Sequence, residues 1–203
     1  MLKIDTLPMG GYQTNCYIIR DDQSTSCALI DPGCDPDYIL EKVRSLGLTV
    51  EAILLTHGHF DHVLAVSEIA NITGCPVWMH AGDHHPELAQ MAAFFYPLSK
   101  MELSSVHYCD EGDTIAVAGL NIAVMATPGH TPGSVCYQCE NALFTGDTLF
   151  AGSVGRTDLP GGSYRTIQDS LVQLANLAEN YAIYPGHGEA SQLDIEKRNN
   201  PYL

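Results

Sequence analysis

Positive charge is what this 203-residue sequence has least of: 9 Lys and Arg stand against 24 Asp and Glu, a formal net charge of −15. Such a balance repels phosphate backbones and anionic lipid surfaces unless basic residues cluster. No such cluster occurs, so neither a nucleic acid nor a membrane surface is expected as a partner. Long apolar runs are missing too: the best, at 116–126, falls short of the ~18 residues of a membrane span and contains Asn121. The opening residues Met1-Leu2-Lys3-Ile4-Asp5-Thr6 lack the ~7–15-residue apolar stretch of a secretory signal, which points to a cytoplasmic setting. Seven dispersed cysteines, an odd number, do not make a disulfide framework and read as reduced thiols used as small hydrophobes. Cys136 and Cys139 form a C-x-x-C, but in a strand-like stretch that spacing puts the two thiols on opposite faces, against a redox or zinc role.

What remains is material for a core. Apolar residues make up 45% of the chain, and 18 Gly with 11 Pro imply short, turn-rich connections. The length fits one domain over 1–203. One pattern recurs five times, at 27–33, 52–59, 123–130, 142–147 and 181–188: an apolar run, then Gly or Pro, with a residue able to bind metal. Short apolar runs bounded by Gly and Pro read as strands buried on both faces. If these strands share a layer and a direction, their carboxyl ends bring Asp31, the cluster at 57–62, His130, Asp147 and His187 to one rim, where α/β sheets place ligands.

Helices are expected between the strands. Asp35 and Pro36 can cap and start one whose Ile39, Val43 and Leu46 share a face, with Gly47 as its stop. Another is expected over 63–72. A third has Ser163 as its cap and Ile167, Leu171, Leu174 and Ala178 as its apolar stripe. Paired strands are expected in 1–30 and 113–150, the latter with a hairpin near Gly119-Leu120-Asn121. Strands outnumber helices, which should cover sheets from outside in an α+β or α/β architecture.

Three imidazoles and a carboxylate within His57-Gly58-His59-Phe60-Asp61-His62 need a common partner, and metal is the natural one. On an extended turn His57 and His59 point the same way, while Asp61 and His62 are displaced toward a neighbouring position, so one segment can feed two adjacent cations. The other strand ends supply His130, His187 and Asp147, whose two oxygens can bridge cations ~3.5–4 Å apart. Nitrogen and oxygen donors without thiolate fit zinc first, with iron or manganese as alternatives, two divalent ions per chain. Two cations lower the pKa of a shared water toward ~7, so hydroxide exists at neutral pH without a serine or cysteine nucleophile. Asp61 can both ligate and steer the proton of the attacking hydroxide.

The ordered motifs His57-Gly58-His59-Phe60-Asp61-His62, Gly129-His130, Gly146-Asp147 and Gly186-His187, with Asp31 ahead of them, resemble those of the metallo-β-lactamase superfamily. The resemblance covers nearly the whole chain. It implies a four-layer αββα sandwich of two mixed sheets flanked by helices. It also implies that His57, His59 and His130 hold a first ion, that Asp61, His62 and His187 hold a second, and that Asp147 bridges. Gly155-Arg156-Thr157-Asp158 and the closing Asn200-Pro201-Tyr202-Leu203 are most similar to the short glyoxalase II-like, or hydroxyacylglutathione hydrolase-like, branch. Longer glyoxalase II enzymes carry a further C-terminal helical domain, whereas here only 189–203 follows the last motif. The implied activity is hydrolysis of a small-molecule thioester such as S-acylglutathione by a metal-bridging hydroxide. Persulfide dioxygenation at a single iron and lactone hydrolysis by the same ligands are the alternatives. Subunit number stays open.

Other residues carry weaker signals. Asp31-Pro32-Gly33 is either a plain turn or supplies an acceptor that fixes a ligand histidine's tautomer. Arg156 either braces its loop against Asp158 or binds a substrate carboxylate. His80, His84, His85 and His107 lack partner motifs and read as ordinary surface or core histidines. Ala92-Ala93-Phe94-Phe95-Tyr96 reads as core, or as an apolar lid or contact.

Overall fold

The computed structural model describes residues 1–84, 95, 97–100, 103 and 105–203. The segment read as core or an apolar lid therefore lies outside the described residues except for Phe95, and so does His85.

The N-terminal half folds as a six-stranded mixed sheet in the order β1 (Leu2–Met9), β2 (Thr14–Asp21), β3 (Ser26–Ile30), β4 (Thr49–Leu54), β5 (Val77–Met79), β6 (Val106–Tyr108). The first three strands form an antiparallel meander, as expected for 1–30, and the rest pair in parallel. The C-terminal half contributes β7 (Thr114–Val117), β8 (Leu120–Ala126), β9 (Val135–Cys139), β10 (Ala142–Gly146), a small β11–β12 hairpin (Leu149–Phe150 with Ser153–Val154), β13 (Ala182–Pro185) and β14 (Ser191–Gln192). All but the hairpin join a second mixed sheet, in the order β14-β13-β10-β9-β8-β7. The β7–β8 turn is made by Ala118 and Gly119, both with positive φ.

The core explains the layering. Tyr17, Ile19, Ile30 and Leu54 of the first sheet pack against Ile122, Val124, Tyr137 and Phe144 of the second. The outer face of the first sheet (Ile18, Leu29, Ile53) is covered by Ile39, Val43 and Ile69 from helices α1 (Pro36–Ser45) and α3 (Val66–Thr73). The outer face of the second (Cys136, Leu143, Ile183) is covered by Ile167, Leu171, Leu174 and Leu193 from α4 (Tyr164–Ala175) and α5 (Leu193–Asn199). Helix, sheet, sheet, helix is the four-layer sandwich. Cys136 packs outward and Cys139 inward, on opposite faces as their spacing requires. No helix among the described residues is long and apolar enough to cross a membrane.

Local chemistry sets the element ends. Asp35 accepts from the Tyr38 N–H, Pro36 begins α1, and Gly47 follows it at φ +72°. The helix expected over 63–72 is instead two, a single turn α2 (Phe60–Val63) and then α3, because the Ala65 N–H leaves the helical ladder for the Pro32 carbonyl. Ser163 caps α4, which ends before Ala178.

The five strands that carry the polar motifs do not share one layer. β3 and β4 run parallel in the first sheet; β8, β10 and β13 share a direction in the second. Their ends meet at the seam between the sheets. That seam is sewn by the Val135 N–H on Thr56 O (2.8 Å) and the Tyr137 hydroxyl on Leu55 O (2.8 Å). At the start of β2, Thr14 pairs with His187 and the Asn15 N–H donates to Gly186 O at 2.7 Å.

Candidate metal centre

Past β4 the chain turns sharply enough to bury His57, His59 and His62. A side chain at Gly58 would place its Cβ 2.9 Å from that of Asp83, so only glycine lets the turn close there. Gly186 is tighter still: a Cβ would lie 2.2 Å from Asp147 Oδ1 and 2.8 Å from His62 Cε1. The glycines of these two motifs make room for the functional side chains beside them.

Four histidines are aimed by the same device. His57 Nδ1 lies 3.0 Å from Thr56 Oγ1, whose one proton is committed to Asp31 Oδ2 at 2.5 Å, so the imidazole must be the donor. His62 Nδ1 donates to Asp31 Oδ2 (2.9 Å), His130 Nδ1 to the Arg156 carbonyl (2.7 Å), and His187 Nδ1 to the Tyr12 carbonyl (3.0 Å). Each Nε2 is left facing inward, the atom through which imidazole binds metal once it carries no proton. Asp31 thus acts as the acceptor that fixes a tautomer, and it does so from a buried turn position at φ +51°.

The inward atoms fall into two groups. His57, His59 and His130 form one, and Asp61, His62 and His187 the other, each with ligand atoms within 4.8 Å of one another. In the first, His59 Nδ1 and His130 Nε2 are 2.8 Å apart. Two imidazole nitrogens that close need something positive between them, a proton or a cation. In the second, Asp61 Oδ2 lies 3.3 Å from His187 Nε2 and 3.7 Å from His62 Nε2, and accepts from the Thr14 hydroxyl at 3.1 Å. Asp147 stands between the groups, with Oδ2 3.5 Å from both His130 Nε2 and His187 Nε2 and Oδ1 3.4 Å from His62 Nε2. A third combination, Asp31 with His57 and His62, also lies within ligand distance, but Asp31 is already engaged by Thr56 and His62.

Charge separates the two groups. Burial and the neighbouring imidazoles push His57 well below the ordinary histidine value, and burial with His130 brings His59 to about 3. In the second group burial acts in the same direction but is outweighed. Asp147, Asp31 and Asp61 hold His62 above its ordinary value, and Asp147 and Asp61 raise His187 to about 10. Burial disfavours the Asp147 carboxylate too, yet His62, His187 and His130 keep it well below the usual carboxylate range.

The residues fit divalent metal on their own evidence. His57 Nε2 and Asp147 Oδ1 are buried without a hydrogen-bond partner, a condition that costs ~1–3 kcal/mol per atom unless something satisfies it. The donor set is imidazole and carboxylate only, suited to zinc, iron or manganese.

All seven residues expected to gather from 57 to 187 do so. The structure adds others that the motifs did not reveal. Buried Asp83 accepts from the Gly58 N–H, the Gly133 N–H and the Thr131 hydroxyl, each at 2.7 Å, and so ties the His57–His59 turn to the loop after His130. Thr56 relays Asp31 to His57, and the Tyr12 and Arg156 carbonyls hold two imidazoles. Only Asp31 and Thr56 had a readable signal, their places just before a motif. The Arg156 guanidinium donates from Nε and Nη2 to the two Asp158 carboxylate oxygens, at 2.7 Å each. The other described histidines are used structurally: His80 Nδ1 accepts from the Gly82 N–H, His84 meets the Tyr108 hydroxyl, and His107 stacks on Trp78. Beside the ligands opens a cavity of ≈ 580 Å³.

The sequence matches the description "Metallo-beta-lactamase superfamily" over residues 9–187. It is 34% identical over 211 residues to the hydroxyacylglutathione hydrolase GloC of Haemophilus influenzae, covering 100% of this chain and 98% of that one. Among solved structures, the BLEG-1 B3 metallo-β-lactamase superposes with a TM-score of 0.86 at 32% identity, over 100% of this chain and 99% of the other. TTHA1623 in a di-iron-bound form superposes with a TM-score of 0.81 at 35% identity, over 98% and 100%.

Proposed function

The chain belongs to the metallo-β-lactamase superfamily, and from that premise we propose that this metal-dependent hydrolase is binuclear and cleaves a small-molecule thioester, as glyoxalase II does. The observation that carries the binuclear reading is the placing of Asp147 between two three-residue groups, 3.5 Å from a histidine of each. The thioester reading is supported by the 34% identity to a hydroxyacylglutathione hydrolase along the whole chain. The net charge of −15 favours a small substrate over a nucleic acid.

His57, His59 and His130 would hold one cation, Asp61, His62 and His187 the other, and Asp147 both. When bound, such a pair supplies Lewis acidity and a water that is nucleophilic near neutral pH. The protein's own groups do the rest. Asp61 Oδ2, oriented by the Thr14 hydroxyl, has a lone pair in the centre with which to hold the attacking water's proton. The Nδ1 bonds keep four imidazoles from rotating, so the geometry is set before substrate arrives. The aromatic residues that line the cavity keep bulk water from the reacting carbonyl. In the overall change the water oxygen bonds to the acyl carbon, the C–S bond breaks, and a carboxylate, a thiol and a proton are released.

The test is a side-by-side assay of protein of known metal content on S-D-lactoylglutathione, an acyl-homoserine lactone and glutathione persulfide. Thioester cleavage with two metal equivalents per chain is the expected result. One iron with oxygen uptake on the persulfide, or turnover of the lactone alone, would overturn it.

A further inference from the structure

The cavity beside the ligands shows what kind of thiol the substrate can carry. Apart from the ligand residues it is lined by Tyr12, Phe60, Phe95, Phe150, Val154 and Leu159, with Arg156 at its edge. The rings form a connected surface. Tyr12 meets Phe60 edge to face at 5.3 Å, Phe60 is tilted against Phe95 at 6.4 Å, and Phe150 stands edge-on to His187 at 6.1 Å. Apolar walls of this kind recognise by contact area and give no counter-charge.

An S-acylglutathione carries two carboxylates and one ammonium. Burying a carboxylate without a partner is costly, so a site built for it presents Arg or Lys. Among the described residues Arg156 is the one Lys or Arg that lines the cavity, and Asp158 already takes the Nε and Nη2 edge of its guanidinium. A substrate carboxylate reaching Arg156 would have to displace Asp158 or sit beside it, like charge against like. That pair is also exposed, with side chains 60% and 68% accessible, where an ion pair contributes little. The stretch 85–104 has one Lys, Lys100, and no Arg in its sequence.

We propose that the site selects thioesters whose thiol arm is uncharged, gripped by the aromatic and aliphatic wall, over the doubly carboxylated arm of glutathione. This rests on the thioesterase reading above and refines it. The glutathione arm, where such an ester is cleaved, stays in solvent and adds no affinity.

The matched probes are S-hexanoyl-N-acetylcysteamine and S-hexanoylglutathione, which share an acyl group and differ in the arm. On metal-loaded protein the neutral ester should have a kcat/KM at least ~10-fold higher, about 1.4 kcal/mol of discrimination, expressed mainly in KM. The uncleavable thioethers S-hexyl-N-acetylcysteamine and S-hexylglutathione, titrated by calorimetry, should show the same order in Kd. Arg156→Gln should leave both ratios within about twofold, and Leu159→Lys, which puts a cation into the wall, should narrow them by favouring the glutathione compounds. Equal or better use of the glutathione ester by the wild type, or a tenfold KM rise for it alone in Arg156→Gln, overturns the proposal and leaves the thioesterase reading standing. Cleavage of neither ester, with lactone or persulfide turned over, removes both.

Discussion

The two halves of the centre are built from the same side chains and differ in where the carboxylates lie. The His57, His59 and His130 half has none of its own; it is buried, and burial with the neighbouring imidazoles lowers His57 and His59. The Asp61, His62 and His187 half has a carboxylate within it and Asp31 behind it, and these outweigh burial to keep its imidazoles proton-loving. Asp147 belongs to both. The difference teaches that one stretch of six residues can supply two electrostatically distinct sites, because a turn of helix at α2 rotates Asp61 and His62 away from His57 and His59. Each half also has its own buried brace. Asp31 holds His62, and Asp83 holds the backbone on either side of the imidazole half.

The sharpest way to break this division is to compare Asp147→Asn with His59→Ala. Both should lower hydrolysis by at least ~10³-fold. Metal analysis should show His59→Ala keeping the ion of the carboxylate half, and Asp147→Asn weakened in both; identical metal content in the two would mean the halves are not separate. Next come the braces. Asp31→Ala removes the acceptor for His62 and for Thr56, through which His57 is held, so metal affinity should fall ~10–100-fold in both halves. Asp83→Ala should cost about tenfold in the imidazole half alone, with a lower melting temperature from the N–H groups of Gly58 and Gly133 left unpaired. Equal losses in both halves for Asp83→Ala would show that it braces the whole seam.

The smallest effect is a control outside both halves. Burial acts to raise the Glu196 carboxyl, but bonds from the Ser191 hydroxyl, the Gly152 N–H and Asn200 outweigh it and hold it below its ordinary value. A carboxyl lowered by folding adds stability above its unfolded value and loses it as the pH falls through the lower folded one. Glu196→Gln should therefore destabilise by about 1 kcal/mol at pH 7. The gap to wild type should close below about pH 4, as thermal melts would show, with metal affinity unchanged.

The seven residues of the centre were legible because they travel in compact motifs, each after a short apolar run bounded by Gly or Pro that reads as a strand. Their layering was not, since an apolar run shows that a strand is buried on both faces without showing in which sheet. The break between α2 and α3 was hidden for a related reason: the Pro32 carbonyl that claims the Ala65 N–H lies over thirty residues earlier in the chain. Asp83 sits in Ala81-Gly82-Asp83-His84, a stretch that follows β5 but carries none of the recurring motif, and its importance arises from three partners near 58 and 131–133. The Tyr12 and Arg156 carbonyls have no side-chain signature, because every residue offers a carbonyl.

The tie between the start of β2 and the loop of His187 sets the order in which a growing polypeptide can finish its catalyst. Joining residues some 170 positions apart is entropically among the dearest closures the chain makes. The partner loop is synthesised some 170 residues after Thr14 and Asn15. A product interrupted before that loop can hold the earlier histidines but lacks His187, without which the second three-residue group is incomplete.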